Sequence, residues 1–83
     1  MNEINRRVAV VGAGLMGVGI ASCLALAGEA VDVFDLSEAR RAELPALAEK
    51  IFEELMAAGR IVEAERDAAR ARIRVVADLA ALA

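Results

Sequence analysis

The chain has 83 residues, 59% of them hydrophobic, and a net charge of -3, which is room for one small domain or part of one and excludes a large second domain. That mildly acidic balance argues against a nucleic-acid partner, because a surface that tracks phosphates needs a marked excess of Lys and Arg. No apolar run reaches the roughly 18 residues of a membrane span, and with two Phe, no Tyr and no Trp the core must rest on aliphatic side chains and alanine.

Val8 to Val11 is a short continuous apolar run of β-branched character, the pattern of a strand buried on both faces of a parallel sheet. From Leu15 to Ala27 the composition turns helical: Ile20, Leu24 and Ala27 recur at helical spacing, and Gly28 stands where a left-handed residue would stop the helix. Val31 to Asp35 predicts a second strand. Ser37 is a good helix cap, and Glu38 in the first turn suits the positive end of the helix dipole.

Along the helix that follows, Leu44, Leu47, Ile51 and Leu55 trace an apolar stripe, and Gly59 ends it. Pro45 lacks a backbone donor and crowds the Arg41 carbonyl, so a kink or restart is expected there. Glu63 to Arg72 predicts a third, polar helix whose alternating charges mark a solvated face. Ile73 to Val76 predicts a third strand, and Asp78 could cap a further helix. The order strand, helix, strand, helix, helix, strand is that of an α/β protein with a parallel sheet.

Gly12, Gly14 and Gly17 fit G-x-G-x-x-G, and they lie between the first strand and the first helix, the setting in which this pattern binds a dinucleotide. The first glycine permits the tight turn, the second leaves room for a pyrophosphate, and the third lets helix and strand pack closely. Free amides at the helix start face the anion. Asp35 comes at about the 20-residue offset where a carboxylate accepts hydrogen bonds from the adenosine ribose. Together Gly12, Ala13, Gly14, Leu15, Met16, Gly17 and Asp35 are the candidate cofactor-binding residues.

A carboxylate at Asp35 would repel the extra phosphate of NADP, so NAD is the preferred cofactor. FAD and NADP are the alternatives, since flavoproteins use the same turn and an arginine near the end of the second strand can accommodate a 2′-phosphate. Arg40 and Arg41 lie beyond Ser37 on the helix and are read as solvated charges. Cys23, the single cysteine, is read as a buried structural thiol; it leaves no intramolecular disulfide to form, which fits a reducing, cytoplasmic setting. The chain has no histidine, and with it goes the commonest general base. No catalytic residue and no metal ligand is assigned.

The stretch VAVVGAGLMGVGIASCLALAGEAVDVFDLS resembles the start of the L-3-hydroxyacyl-CoA dehydrogenase family. Leu15-Met16 within the turn, Gly19-Ile20-Ala21 after it, Ala27-Gly28 at the helix end, and Asp35 with Ser37 carry the likeness. Gly59-Arg60-Ile61, Glu63 to Ile73 and Asp78-Leu79 are similar to the family's extended helices and third strand. The resemblance implies the first half of a Rossmann domain, a doubly wound parallel sheet, here with about three strands and flanking helices. It also implies oxidation of 3-hydroxyacyl-CoA to 3-oxoacyl-CoA with NAD, in fatty-acid metabolism.

In that family the second nucleotide-binding half carries a catalytic His-Glu pair and the residues that hold the thioester, and a helical domain follows. None of these lies within residues 1–83, so the chain by itself is expected to be inactive, with an acyl-CoA partner only in a complete protein. A free-standing dinucleotide-binding module acting with a partner chain is the alternative. A structural α/β piece without a ligand is least favoured. In a sheet of order 3-2-1-4 the absent fourth strand would leave Val8 to Val11 as an open edge, through which self-association is expected.

Overall fold

The computed structural model describes residues 7–12 and 14–78, with residue 15 by its backbone alone. Its elements are β1 (Arg7–Val11), α1 (Leu15–Leu26), β2 (Ala30–Phe34), α2 (Glu38–Ala57), α3 (Glu63–Arg72) and β3 (Ile73–Val75). The strands form one parallel sheet in the order β1-β2-β3. Val8 faces Val31 across the first pair, and Val33 faces Val75 across the second. The helix suggested after Asp78 lies outside the described residues.

Side chains alternate along a strand, so each strand sends half of its residues to each face. Val10, Val31 and Val33 point to the face on which Val18, Ala21 and Ala25 of α1, Leu44, Ala48 and Phe52 of α2 and Ala69 of α3 are buried. This is the core. The opposite face is more polar, and β1 is not buried on both sides as its composition suggests: Arg7, Ala9 and Val11 are exposed. No helix among the described residues is long and apolar enough to cross a membrane.

Small residues dominate the inner side of α1, and this lets the helix lie close to the sheet. Its C-terminus closes at Gly28, whose φ of 102° is strained for any residue with a Cβ. Arg72 donates to the Ala25 carbonyl at 2.8 Å, placing a cation at the negative end of α1. Cys23 is exposed rather than buried. Val18, Ala21, Ser22 and Ala25 occupy the inward face, which turns Cys23 outward with Met16 and Ile20.

α2 runs unbroken through Pro45, without the restart suggested by sequence. A mid-helix proline costs about 3 kcal/mol, but burying Leu44 and Phe52 contributes roughly 1.5–3 kcal/mol each and holds the helix to the core on both sides of it. The inward row is Leu44, Ala48 and Phe52, with Leu47, Ile51 and Leu55 half-buried beside it. The stripe read from sequence is thus its flank. At the start of α3, the Val62 amide donates to Glu65 Oε1 at 2.8 Å.

The far face of the sheet carries an ionic brace. Asp32, only 4% exposed, accepts from Arg7 Nε of β1 at 2.6 Å and from Arg74 Nε and Nη2 of β3 at 3.0 and 2.8 Å. Burial alone would raise the Asp32 pKa, but the hydrogen bonds and charges of the two guanidinium groups outweigh it and hold the carboxyl below its ordinary value. A lowered folded pKa contributes stability that is complete above the ordinary carboxylate range and is lost as pH falls through the folded value. Urea titrations of the chain should therefore show stability falling below about pH 4. Asp32→Asn should lower stability at neutral pH by about 1–3 kcal/mol and flatten that acid limb; an unchanged acid limb would mean that another group governs it.

Between the sheet, α1 and α2 lies a cavity of about 150 Å³, lined by Val18, Ser22, Val33, Leu44 and Phe52 among others. The Ser22 hydroxyl is fully buried there without a hydrogen-bond partner among the described residues. An unpaired buried hydroxyl is destabilising, and alanine is the better helix former. Ser22→Ala should raise stability by about 1 kcal/mol, measured as a higher urea midpoint with unchanged slope; a lower midpoint would show that the hydroxyl is well solvated in solution.

Candidate functional site

β1 and β2 run in parallel with Val11 opposite Phe34, so their C-terminal ends stop side by side. The Gly12 amide donates to the Phe34 carbonyl at 2.8 Å, extending the ladder one step into the turn. The glycine turn after β1 and the loop after β2 are thereby neighbours. Ligands of open α/β sheets bind at this end, outside the carboxyl ends of the strands.

Each glycine of the turn stands under a different constraint. Gly12 has φ 91°, a conformation that L side chains rarely adopt, while the space around it is open. Gly17 is limited by space: a Cβ there would collide with the Gly12 carbonyl oxygen, so the first turn of α1 packs directly on the backbone that leaves β1. Gly14 is the N-cap of α1 with φ -62° and no side-chain cap. Its backbone would suit any residue, and a Cβ there would meet only the tip of Arg40, at 3.3 Å. The first amides of α1 have no carbonyl of the same helix to bond.

Asp35 is the first residue beyond β2, not its last as the sequence suggested, because the ladder ends at Phe34. Its Oδ1 accepts from the Ser37 amide at 2.8 Å, which sets the carboxylate over the loop. The Ser37 hydroxyl in turn accepts from the Arg40 amide at 3.1 Å and caps α2. Arg41 folds back to donate to the Asp35 carbonyl at 2.6 Å and to the Leu36 carbonyl at 3.3 Å, with its guanidinium 5.7 Å from the centre of the Phe34 ring.

The structure thus brings Gly12, Gly14, Gly17 and Asp35 to one end of the sheet. Ala13 lies outside the described residues, and Leu15 is described by its backbone only. Met16, 79% exposed, points away from the core. Of the two arginines read from sequence as solvated charges, Arg40 is exposed with its guanidinium beside Gly14, whereas Arg41 is half-buried against the loop. The available signal was directional: Cα–Cβ bonds tilt toward a helix N-terminus, so basic residues at the start of α2 reach back over the loop.

These features fit a dinucleotide. The helix start could meet a pyrophosphate with its first amides, Gly14 brings no side chain of its own there, and the Asp35 carboxylate stands one loop away, where it could meet a ribose. Among the described residues no group of three or more His, Cys, Asp or Glu is placed to hold a metal ion.

A family model described as 3-hydroxyacyl-CoA dehydrogenase, NAD binding domain, matches residues 7–83. The 3-hydroxybutyryl-CoA dehydrogenase of Mycobacterium tuberculosis is 40% identical over 79 residues, which are 95% of this chain and 28% of that relative. The solved structure of M. tuberculosis FadB2 superposes with a TM-score of 0.86 at 42% identity, over 92% of this chain and 27% of that one. (S)-3-Hydroxybutyryl-CoA dehydrogenase PaaH1 from Ralstonia eutropha gives 0.80 at 34% identity, over 88% of this chain and 26% of that one. This chain therefore spans little more than a quarter of the length of the curated relatives it matches. With the match running from β1 through β3 and the fold superposing on dehydrogenase structures, the chain belongs to the family of 3-hydroxyacyl-CoA dehydrogenase NAD-binding domains.

Proposed function

We propose that this chain holds NAD for an enzyme that oxidises 3-hydroxyacyl-CoA to 3-oxoacyl-CoA in fatty-acid metabolism. The observation that carries this reading is the direct seating of Gly17 on Gly12 beside the Asp35 loop. Bound NAD would supply the hydride acceptor. The residues of this chain bind and orient it: the amides at the start of α1 meet the pyrophosphate, and Asp35 meets the ribose hydroxyls and disfavours a 2′-phosphate. The base that takes the hydroxyl proton and the groups that hold the thioester are assigned to no residue of this chain, which has no histidine. A cytoplasmic location goes with this reading, since the single cysteine forms no intramolecular disulfide.

Titration of the chain with NADH, followed by calorimetry, tests it. NADH should bind more tightly than NADPH, and Asp35→Ala should weaken NADH by about 1–3 kcal/mol. Equal binding by the two chains, or tighter NADPH, would remove the assignment of Asp35. Mixed with NAD and 3-hydroxybutyryl-CoA, the purified chain should release no NADH above the blank.

The exposed surface supports a second element of the proposal, completion of the sheet by another polypeptide. β1 pairs only with β2 among the described strands, and Val11 at its end is 63% exposed. An apolar strand with an unpaired side is a template for a further strand, and Val8 to Val11 hold no proline or charge to blunt it. For the chain on its own, a second copy is the expected partner. Sedimentation at rising concentration should show association, with slower amide exchange at Val8 to Val11 in the associated form; a monomer at every concentration would refute it.

A further inference from the structure

Gly14 raises a question that the family match leaves open. Its φ of -62° makes no demand for glycine, and the nearest protein atom that a Cβ would meet is Arg40 Nη1, at 3.3 Å. The bare Cα therefore separates the start of α1 from a guanidinium. Arg40 comes from the first turn of α2, where the helix dipole disfavours a cation. Its backbone amide is held by the Ser37 cap, which fixes the point from which the side chain departs.

The other arginines near the sheet have protein partners. Arg7 and Arg74 bind Asp32, Arg66 and Arg70 bind Glu49, and Arg41 is bonded to the carbonyls of the loop. No carboxylate among the described residues forms an ion pair with Arg40. The negative groups nearest in sequence are Asp35, which accepts from the Ser37 amide, and Glu38, an exposed residue in the first turn of α2. Positive potential from the start of α1 and from Arg40 thus meets at Gly14, which brings no side chain of its own.

We propose that Arg40 is a pyrophosphate ligand, closing on the dinucleotide from the side opposite the amides of α1. This rests on the dinucleotide reading of the glycine turn and adds a residue from a different element to it. A guanidinium donates two parallel hydrogen bonds to phosphate oxygens, a geometry that lysine does not reproduce. The pyrophosphate is common to NAD and NADP, so Arg40 adds affinity for both and selects neither. Selection remains with Asp35.

The test is binding of NADH, NADPH, ADP-ribose and adenosine to the unmodified chain, Arg40→Gln and Arg40→Lys, by calorimetry or, for weak ligands, by amide chemical shifts. Circular dichroism checks that the variants remain folded. Arg40→Gln should weaken NADH, NADPH and ADP-ribose by similar factors of about tenfold or more and reduce the salt dependence of binding, with Arg40→Lys intermediate. Adenosine, which lacks phosphate, should bind all three chains alike. Unchanged NADH affinity in a folded Arg40→Gln chain would overturn this proposal and leave the glycine-turn reading standing. A loss confined to NADPH would overturn it in favour of a 2′-phosphate contact. Failure of the unmodified chain to bind any dinucleotide would overturn the underlying reading and this proposal together.

Discussion

The contact between Gly17 and the Gly12 carbonyl is the constraint from which the site is built. A helix meets a strand end backbone to backbone only where neither brings a side chain, and any Cβ at position 17 would push α1 away from β1. Ala21 and Ala25 continue the same condition along the helix, so that α1 packs in one core with Val10, Val31 and Val33. The close approach aims the helix start at the end of the sheet. Without it the first amides of α1 would not stand beside the loop that follows β2.

That loop is organised by short local bonds. The Ser37 amide on Asp35, the Ser37 hydroxyl on the Arg40 amide, and Arg41 on two loop carbonyls hold a segment that has no regular ladder of its own. Cap and carboxylate are interdependent here: the same serine orients Asp35 and starts α2. If this loop holds the coenzyme as proposed, its local bonds reduce the entropy that binding must spend on ordering it.

The two faces of the sheet do different work. Under the helices it is aliphatic, while on the far face Asp32 is shared between Arg7 and Arg74 from the two neighbouring strands. Buried ion pairs contribute little net stability, because desolvation offsets most of the attraction. Their effect here is on register. A slip of one residue by either outer strand would carry its arginine to the other face and strip a partner from a buried carboxylate. The strand ends that define the site are aligned by the same pairing.

Much of the architecture was legible because it depends on local rules. The apolar run from Val8, the glycine at position 28, the serine cap at position 37 and the polar helix from Glu63 each follow from backbone preference over a few residues, and the structure places the elements within a residue or two of those readings. Gly12, Gly14 and Gly17 were legible for the same reason, since a turn that needs positive φ or bare backbone admits few residue types. Pro45 and Cys23 were misread, and the buried Phe52 lay outside the stripe read from Leu44, Leu47, Ile51 and Leu55, because their surroundings come from distant parts of the chain. The burial of Leu44 and Phe52 carries α2 through its proline, and the small face of α1 turns Cys23 outward. Arg40, Arg41 and Asp32 depended on the same kind of information. A charged side chain acquires its partner from whatever the fold brings within about 3 Å, and the partners of Asp32, Arg7 and Arg74, are separated from it by intervening elements, as Gly14 is from the guanidinium of Arg40. The sequence by itself determined the elements, their order and the glycine turn, because these follow from local backbone chemistry. The tertiary structure alone decided which faces are buried and which charges meet, because both depend on how the elements pack.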